Sequence, residues 1–234
     1  MTAEQSQHFG RHLGERTRDI TGTFLNLLNY DVTGLDNLGL LHTRPCEIAF
    51  YPHTSHLDPL SLRHVMPQEL RKNLVFPAAA DYWYTSRLKR SISLMFLQSY
   101  PLSRSGNSAM EEGICQTVQI MESGFSVAIS PEGTRTQIPL EQRVLHRGFA
   151  EIALRGGFPI IPVVLNGFDI VWPKGKPLKL LEGLHRHEVG VHFGTPIIVP
   201  KLDDQQQRRE ARIELTNNIK LLYHQMLEPY LSSS

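Results

Sequence analysis

The order of apolar segments predicts an α/β fold: a layered domain with a largely parallel central sheet flanked by helices, preceded by an N-terminal amphipathic helix. Short apolar runs typical of buried strands alternate with longer segments that have helical spacing. Such alternation is typical of βαβ units, whose helices cover a parallel sheet. A length of 234 residues fits one medium domain. We therefore divide the chain into an N-terminal amphipathic helical segment, residues 1–29, and a single domain that follows it, residues 30–234.

The elements of the first half follow from this pattern. The N-terminal segment places six apolar residues close to one helical face: Phe9, Leu13, Ile20, Phe24, Leu27 and Leu28. Strands are predicted around residues 30–33 and at residues 46–51. Asp58 followed by Pro59 predicts a helix start, because aspartate caps helices and proline suits the first turn. Further elements are a strand-like stretch at 74–79, a helix at 85–97 and a short strand at 98–102.

The second half continues the alternation. Ser108 and Glu111 form a capping-box pattern, which predicts a helix that ends at Gly124. Strands are predicted at 125–129, 160–165 and 189–193, with a helix near 144–154. Asp203 opens a last helix, which Pro229 is expected to close. In parallel sheets the loops that leave the carboxyl ends of strands form the ligand crevice, so we expect the site there.

Composition excludes several classes of protein. The 24 Lys and Arg against 23 Asp and Glu give a net charge of +1, so no overall basic field indicates a nucleic-acid partner. Cys46 and Cys115 match no metal-ligand spacing and are too few for a disulfide framework, which favours a reducing compartment. No window approaches the ~20 apolar residues that cross a bilayer, and the N-terminus lacks a secretory pattern. We therefore expect a cytoplasmic chain without a membrane span.

Reactive side chains are concentrated in the loop His53-Thr54-Ser55-His56-Leu57-Asp58, which follows a predicted strand. With a strand before it and a helix after it, the loop can bring the carboxylate to one imidazole nitrogen of His53 and leave the other facing the crevice. Such an imidazole is a general base, worth roughly 10²–10⁴ in rate. The alternative is that Asp58 caps the helix and His53 is an ordinary loop histidine.

A second reactive loop, residues 130–136 with the sequence SPEGTRT, follows another predicted strand. Arg135 suits a bidentate grip on a phosphate, while Glu132 can hold an alcohol or position the arginine. Arg104 adds a guanidinium near the end of the predicted strand at 98–102. The alternatives are a polar Pro-Glu-Gly turn and, for Arg104, a solvated surface residue.

Together these segments resemble the glycerolipid acyltransferase family, the 1-acylglycerol-3-phosphate O-acyltransferase-like enzymes. His53, Ser55 and Asp58 match the first block of that family, a histidine and an aspartate separated by four residues with a serine between them. The later blocks are matched in the family's order, over about residues 30–200, by Arg104 loosely, by Pro131 through Arg135 fully and by Ile161-Pro162-Val163.

Three departures from the family pattern bear on the acceptor more than on acyl transfer. Pro52 stands where the family often has asparagine, and Ala79 through Trp83 replace a Lys-Lys-Glu-Leu-like stretch. The second block also lacks its usual Phe-Ile-Asp lead.

The resemblance implies transfer of a fatty acyl group from acyl-CoA or acyl carrier protein to a lysophospholipid hydroxyl, foremost 1-acylglycerol 3-phosphate, giving phosphatidic acid. Glycerol 3-phosphate or another lipid alcohol stays open as acceptor. His53 and Asp58 would be catalytic. The residues expected to bind substrate are Ser55, Arg104, Glu132, Gly133, Thr134 and Arg135. No metal and no cofactor beyond the acyl carrier is implied.

Lipid substrates imply peripheral contact with the cytoplasmic face of a membrane. Residues 1–29 could dock there, as could residues 83–97, which mix aromatic anchors, three basic residues and apolar side chains. Both segments could instead pack on the sheet.

Two other classes of protein stay open. A metal-dependent hydrolase would draw its ligands from a set of histidines and one aspartate: His53, His56, Asp58, His185, His187 and His192. However, the spacing between His53 and His56 is one residue longer than in the His-x-His pattern of metallo-β-lactamase-like enzymes. A non-catalytic lipid-binding protein would keep a pocket but would not need a histidine–aspartate pair.

Overall fold

The computed structural model describes residues 22, 24–103, 106–179, 181–182 and 185–231, of which residues 107, 181 and 182 are described for the backbone alone. The strands are β1 Asn29–Thr33, β2 Glu47–Tyr51, β3 Leu74–Val75, β4 Pro77–Ala79, β5 Tyr100–Leu102, β6 Ser126–Ile129, β7 Ile160–Asn166, β8 Leu181–Glu182, β9 His185–Arg186 and β10 Glu188–Phe193. The helices are α1 Leu57–Val65, α2 Gln68–Arg71, α3 Ala80–Trp83, α4 Arg87–Leu97, α5 Asn107–Glu122, α6 Gly148–Gly156, α7 Phe168–Val171 and α8 Gln205–Leu231. Two 3₁₀ segments lie at Leu35–His42 and Leu140–Gln142.

The main sheet has six strands in the order β1, β10, β7, β2, β6, β3. The four strands β7, β2, β6 and β3 are mutually parallel, whereas β10 pairs with β7 antiparallel and with β1 parallel. The predicted α/β fold with a largely parallel sheet is confirmed. The connection from β7 to β10 contains the short helix α7 and the strands β8 and β9.

The central strand β2 is buried on both faces. Ile48 and Phe50 pack into the cluster that includes residues of α1 and of the first 3₁₀ segment. Ala49 and Tyr51 face the opposite cluster, formed with α6 and α8. A strand covered on both sides reads as a continuous apolar run, which is why residues 46–51 could be assigned from the sequence.

The last helix, α8, is fastened to β2. The Tyr223 hydroxyl donates a hydrogen bond to the Ala49 carbonyl oxygen at 2.7 Å, and the Tyr223 and Tyr51 rings stack with centroids 4.8 Å apart. Lys220 Nζ donates to the Arg143 carbonyl oxygen at 3.0 Å. The helix therefore supports both the strand before His53 and the segment after Arg135.

Several predicted helix ends were wrong. Helix α1 begins at Leu57, and Asp58 does not cap it, since its Oδ2 accepts from the N–H groups of Thr54 and Ser55, which lie in the loop before the helix. Ser108 lies inside α5, whose N-cap is Gly106 without a side-chain hydrogen bond. Helix α8 continues past Pro229 to Leu231.

The predicted N-terminal helix lies almost wholly outside the described residues. Within the part that is described, Leu25 and Leu28 are buried in the core, whereas Phe24 is exposed. The boundary between residues 29 and 30 stays a prediction.

Candidate active site

The loops that leave β2 and β6 meet at one edge of the sheet, because these neighbouring strands are parallel. The His53 N–H donates to Glu132 Oε2 at 2.5 Å, and the His53 carbonyl oxygen accepts from the Thr136 N–H at 3.0 Å. Both backbone polar groups of His53 thus bond to the second loop. These contacts show that the two reactive loops lie side by side at this edge of the sheet. That the loops form the substrate crevice stays a prediction.

His53 and Asp58 form a close pair. The His53 Nδ1 atom lies 2.8 Å from Asp58 Oδ2, and the side-chain exposure is 18% for His53 and 0% for Asp58. Oδ2 also accepts from the Thr54 and Ser55 N–H groups at 2.7 and 2.8 Å, which fixes the carboxylate. An acceptor at Nδ1 selects the tautomer with the proton on Nδ1, so Nε2 carries the free lone pair. The pair has the geometry of an oriented general base.

Three of the predicted substrate-binding residues lie in different environments. Ser55 is fully buried, and its Oγ accepts the Leu57 N–H at 3.1 Å, so its hydroxyl orders the entry into α1. Gly133, with φ of +66°, and Thr134 are exposed in the turn of the second loop. Contacts of these residues with substrate stay a prediction.

Glu132 and Arg143 form a buried ion pair. Glu132 Oε1 lies 3.1 Å from Arg143 Nη1, and both side chains are almost completely buried. Burial raises the pKa of Glu132, while the hydrogen bond from the His53 N–H and the charge and hydrogen bond of Arg143 oppose that rise. Glu132 therefore uses both carboxylate oxygens inside the protein.

Arg135 is half-buried beside the pair. Burial lowers the pKa of its guanidinium, and the nearby Tyr82 and Asp58 groups raise it. The Arg135 carbonyl oxygen accepts from Lys174 Nζ at 3.1 Å. The structure thus brings Arg135 to the site with His53, Asp58 and Glu132, whereas Arg104 lies outside the described residues.

An aromatic cluster around His56 forms one side of the site. The His56 ring centroid lies 5.1 Å from Trp172, 5.8 Å from Trp83 and 6.5 Å from Tyr82. Burial lowers the pKa of His56 to about 4, with further lowering by the charges of Arg135 and His53. His56 is therefore a neutral imidazole at physiological pH.

Sequence reasoning missed part of this site. The segment after α7 contacts both loops, since Ser55 forms a β-bridge with Pro173 and Lys174 reaches Arg135. Arg143 lies 11 residues after Glu132, and no periodic pattern in the sequence indicates that the two side chains meet. The aromatic composition at residues 82–83 was a visible signal, but its convergence with Trp172 depends on the fold.

The alternative metal site is not assembled. Within the described ranges, no three His, Cys, Asp or Glu side chains converge as a metal-binding group. His192 lies in β10, where its ring contacts Thr33, Asn166 and Tyr230 rather than His53.

Comparison with known proteins supports one family. The Acyltransferase family model matches residues 37–166. The chloroplastic 1-acyl-sn-glycerol-3-phosphate acyltransferase of Brassica napus is 27% identical over 176 residues, which cover 74% of this chain and 46% of that protein. The 1-acyl-sn-glycerol-3-phosphate acyltransferase of Limnanthes douglasii is 32% identical over 77 residues, covering 32% of this chain and 26% of that protein. The chain thus spans less than half the length of these relatives.

A solved structure shows the same fold. The 1-acyl-sn-glycerophosphate acyltransferase PlsC from Thermotoga maritima aligns with a TM-score of 0.56 and 18% identity, covering 94% of this chain and 79% of that one. The family match spans more than half of the chain, and the chain belongs to the Acyltransferase family. The predicted resemblance to the glycerolipid acyltransferase family is confirmed.

Proposed function

We propose that this chain transfers a fatty acyl group from an acyl thioester, acyl-CoA or acyl carrier protein, to the hydroxyl of a lysophospholipid. The 2.8 Å contact between His53 Nδ1 and Asp58 Oδ2 carries the proposal, because it orients an imidazole next to a loop able to bind phosphate. The names of the relatives favour 1-acylglycerol 3-phosphate as acceptor and phosphatidic acid as product.

In the proposed mechanism the acyl group passes directly from the thioester to the acceptor hydroxyl. His53 Nε2 takes the proton from the acceptor hydroxyl while Asp58 holds Nδ1–H. The acceptor oxygen forms a bond to the thioester carbonyl carbon, the carbon–sulfur bond breaks, and the imidazolium returns the proton to the leaving thiolate. Asp58 stabilises the transient imidazolium, and the acceptor itself is the nucleophile. We assign the binding of the acceptor phosphate to Arg135, because its half-buried guanidinium lies near Asp58.

Steady-state release of the thiol from acyl-CoA tests this function. We expect His53→Ala to lower kcat by roughly 10²–10⁴ in a folded protein, which is the usual contribution of a general base. The matched control is His42→Ala, since His42 is exposed at the end of a 3₁₀ segment. Wild-type turnover by His53→Ala would end the proposal.

A panel of lipid acceptors identifies the substrate. Lysophosphatidic acid, other lysophospholipids, glycerol 3-phosphate and phosphate-free alcohols are offered with labelled acyl-CoA, and the products are separated by lipid mass spectrometry. A parallel series with acyl carrier protein identifies the donor. Product from phosphate-free alcohols alone would contradict the role of Arg135 and the preferred acceptor.

We also propose that the site works at the cytoplasmic face of a membrane, to which the protein binds peripherally. In the described ranges, no helix combines the length and apolar character needed to cross a bilayer. The proposed docking rim consists of two segments, and its basic residues are Arg87, Lys89 and Arg90 of α4 and Lys174, Lys176 and Lys179 after α7. Exposed apolar side chains nearby are Leu88 of α4, Ile170 of α7 and Leu178 after α7. His56 joins the two halves of the rim through Tyr82 and Trp172.

Co-sedimentation with vesicles tests the docking rim. Reversing Lys174, Lys176 and Lys179 to glutamate should weaken binding to anionic vesicles by at least about 10²-fold, because each basic residue near such a surface contributes about 1 kcal/mol. Reversal of Arg87, Lys89 and Arg90 tests the other half. Lys72→Glu with Lys201→Glu is the control, since both lysines are exposed elsewhere. Unchanged binding by both triple variants would rule out this rim.

A further inference from the structure

Arg143 lies behind the candidate site and contacts it through Glu132. Its Nη1 donates to Glu132 Oε1 at 3.1 Å, and its Nε donates to the Ile138 carbonyl oxygen at 2.9 Å. Its carbonyl oxygen is bound by Lys220 of α8. With 5% of the residue exposed, the guanidinium is held by the protein on several sides. Its ionic contact is with the second loop.

Glu132 links Arg143 to His53. While Oε1 binds Arg143, Oε2 accepts the His53 N–H at 2.5 Å. Glu132 is 4% exposed, so its carboxylate is fixed between these two groups. A continuous series of contacts therefore runs from Arg143 through Glu132 to the backbone of the proposed base, whose ring is held from the other side by Asp58.

We infer that Arg143 is a positioning residue for acyl transfer, which keeps the Glu132 carboxylate against the His53 N–H and so fixes the base; this inference rests on the proposed function. A buried carboxylate without a counter-charge becomes protonated or turns toward water. Loss of the carboxylate contact would free the His53 backbone, and a displacement of about 1 Å at a reacting group can cost on the order of 10² in rate.

Arg143 supplies the permanent positive charge at Glu132. The titratable groups that face Glu132 within the described part of the chain are Arg143, His53, Tyr51 and Tyr223. Burial raises the pKa of Tyr51 to about 12 and that of Tyr223 well above its ordinary value, so both phenols stay neutral. Removing the guanidinium therefore raises the pKa of Glu132 further.

Arg143→Met tests the inference by its effect on kcat and on pH dependence. We expect kcat to fall on the order of 10²-fold with little change in the KM for the acceptor. The acid limb of the kcat profile should move to higher pH, since Glu132 then protonates at higher pH. Arg143→Lys keeps the charge and should restore part of the activity. A loss that is equal at every pH, or wild-type kcat, would overturn the inference.

A control and a second variant separate positioning from stability. Arg155 also forms ion pairs, with Glu111 and Glu151, but away from the two loops, so Arg155→Met should leave kcat and its pH profile unchanged. If Arg143→Met does not fold, the double variant Glu132→Met/Arg143→Met removes both buried charges and the acceptor of the His53 N–H, and we expect it to fold with kcat lowered on the order of 10²-fold. Wild-type kcat in this double variant would contradict the inference. An inactive wild-type enzyme would instead remove the proposed function.

Discussion

Asp58→Asn separates the charge of the aspartate from its geometry. Oδ2 accepts three hydrogen bonds, from His53 Nδ1 and from the N–H groups of Thr54 and Ser55, whereas Oδ1 is buried without a partner among the described residues. The asparagine carbonyl oxygen should take the Oδ2 position, because the two backbone N–H groups require an acceptor there. The His53 tautomer is then retained, and the negative charge is lost.

The lost charge and the newly buried amide group each have an expected size. Unit charges about 4 Å apart attract by about 4 kcal/mol at an effective dielectric constant near 20, so loss of this support for the imidazolium should lower kcat about 10³-fold. The asparagine NH₂ group would occupy the partnerless Oδ1 position, which costs about 1–3 kcal/mol in the free energy of unfolding.

Thiol-release kinetics and urea denaturation measure these two quantities in the same protein. Asp36→Asn is the matched control, because Asp36 is exposed in a 3₁₀ segment. A folded Asp58→Asn enzyme with kcat within about threefold of wild type would refute the reasoning, since the charge of Asp58 would then not assist the reaction.

Three further predictions concern single groups. Arg135→Ala should raise the acceptor KM about 10- to 10²-fold for phosphorylated acceptors, as expected for a lost charged hydrogen bond; an equal effect on phosphate-free acceptors would contradict this. Burial raises the pKa of Glu47 well above 4.5, so the folded protein favours the protonated carboxyl group. The wild-type free energy of unfolding should therefore fall by up to about 1.4 kcal/mol per pH unit as the pH rises above 4.5. Denaturation of Glu47→Gln from pH 5 to 8 should lack this slope. Because the pKa of His56 is lowered to about 4, its ring proton resonance should not titrate between pH 5.5 and 8.

Strands β2, β7 and β10 were predictable because burial on both faces leaves a continuous apolar run in the sequence. Residues 160–165 and 189–193 match β7 and β10 to within one residue at each end. Helix ends were less predictable, since a cap depends on which N–H groups a side chain meets. Asp58 illustrates this, because its carboxylate bonds to the loop that precedes α1 and to His53.

The two loops of the candidate site were predictable from residue type and from their place after strands. His53 and Asp58 are close in sequence, so a short loop suffices to pair them. Arg143 and the convergence of Trp172 with Tyr82 on His56 were not predictable, because they depend on contacts between distant segments. Such contacts become visible once the strand order is known.

The attachment of α8 has a consequence for shortened versions of the protein. A fragment that stops at residue 166, where the family match ends, would keep His53, Asp58 and Arg135. It would lose the Tyr223 hydroxyl on Ala49 and the Lys220 ammonium on Arg143. Possession of the recognisable motifs is therefore not sufficient for an ordered site, and C-terminal deletions into this helix should inactivate the enzyme without touching any of them.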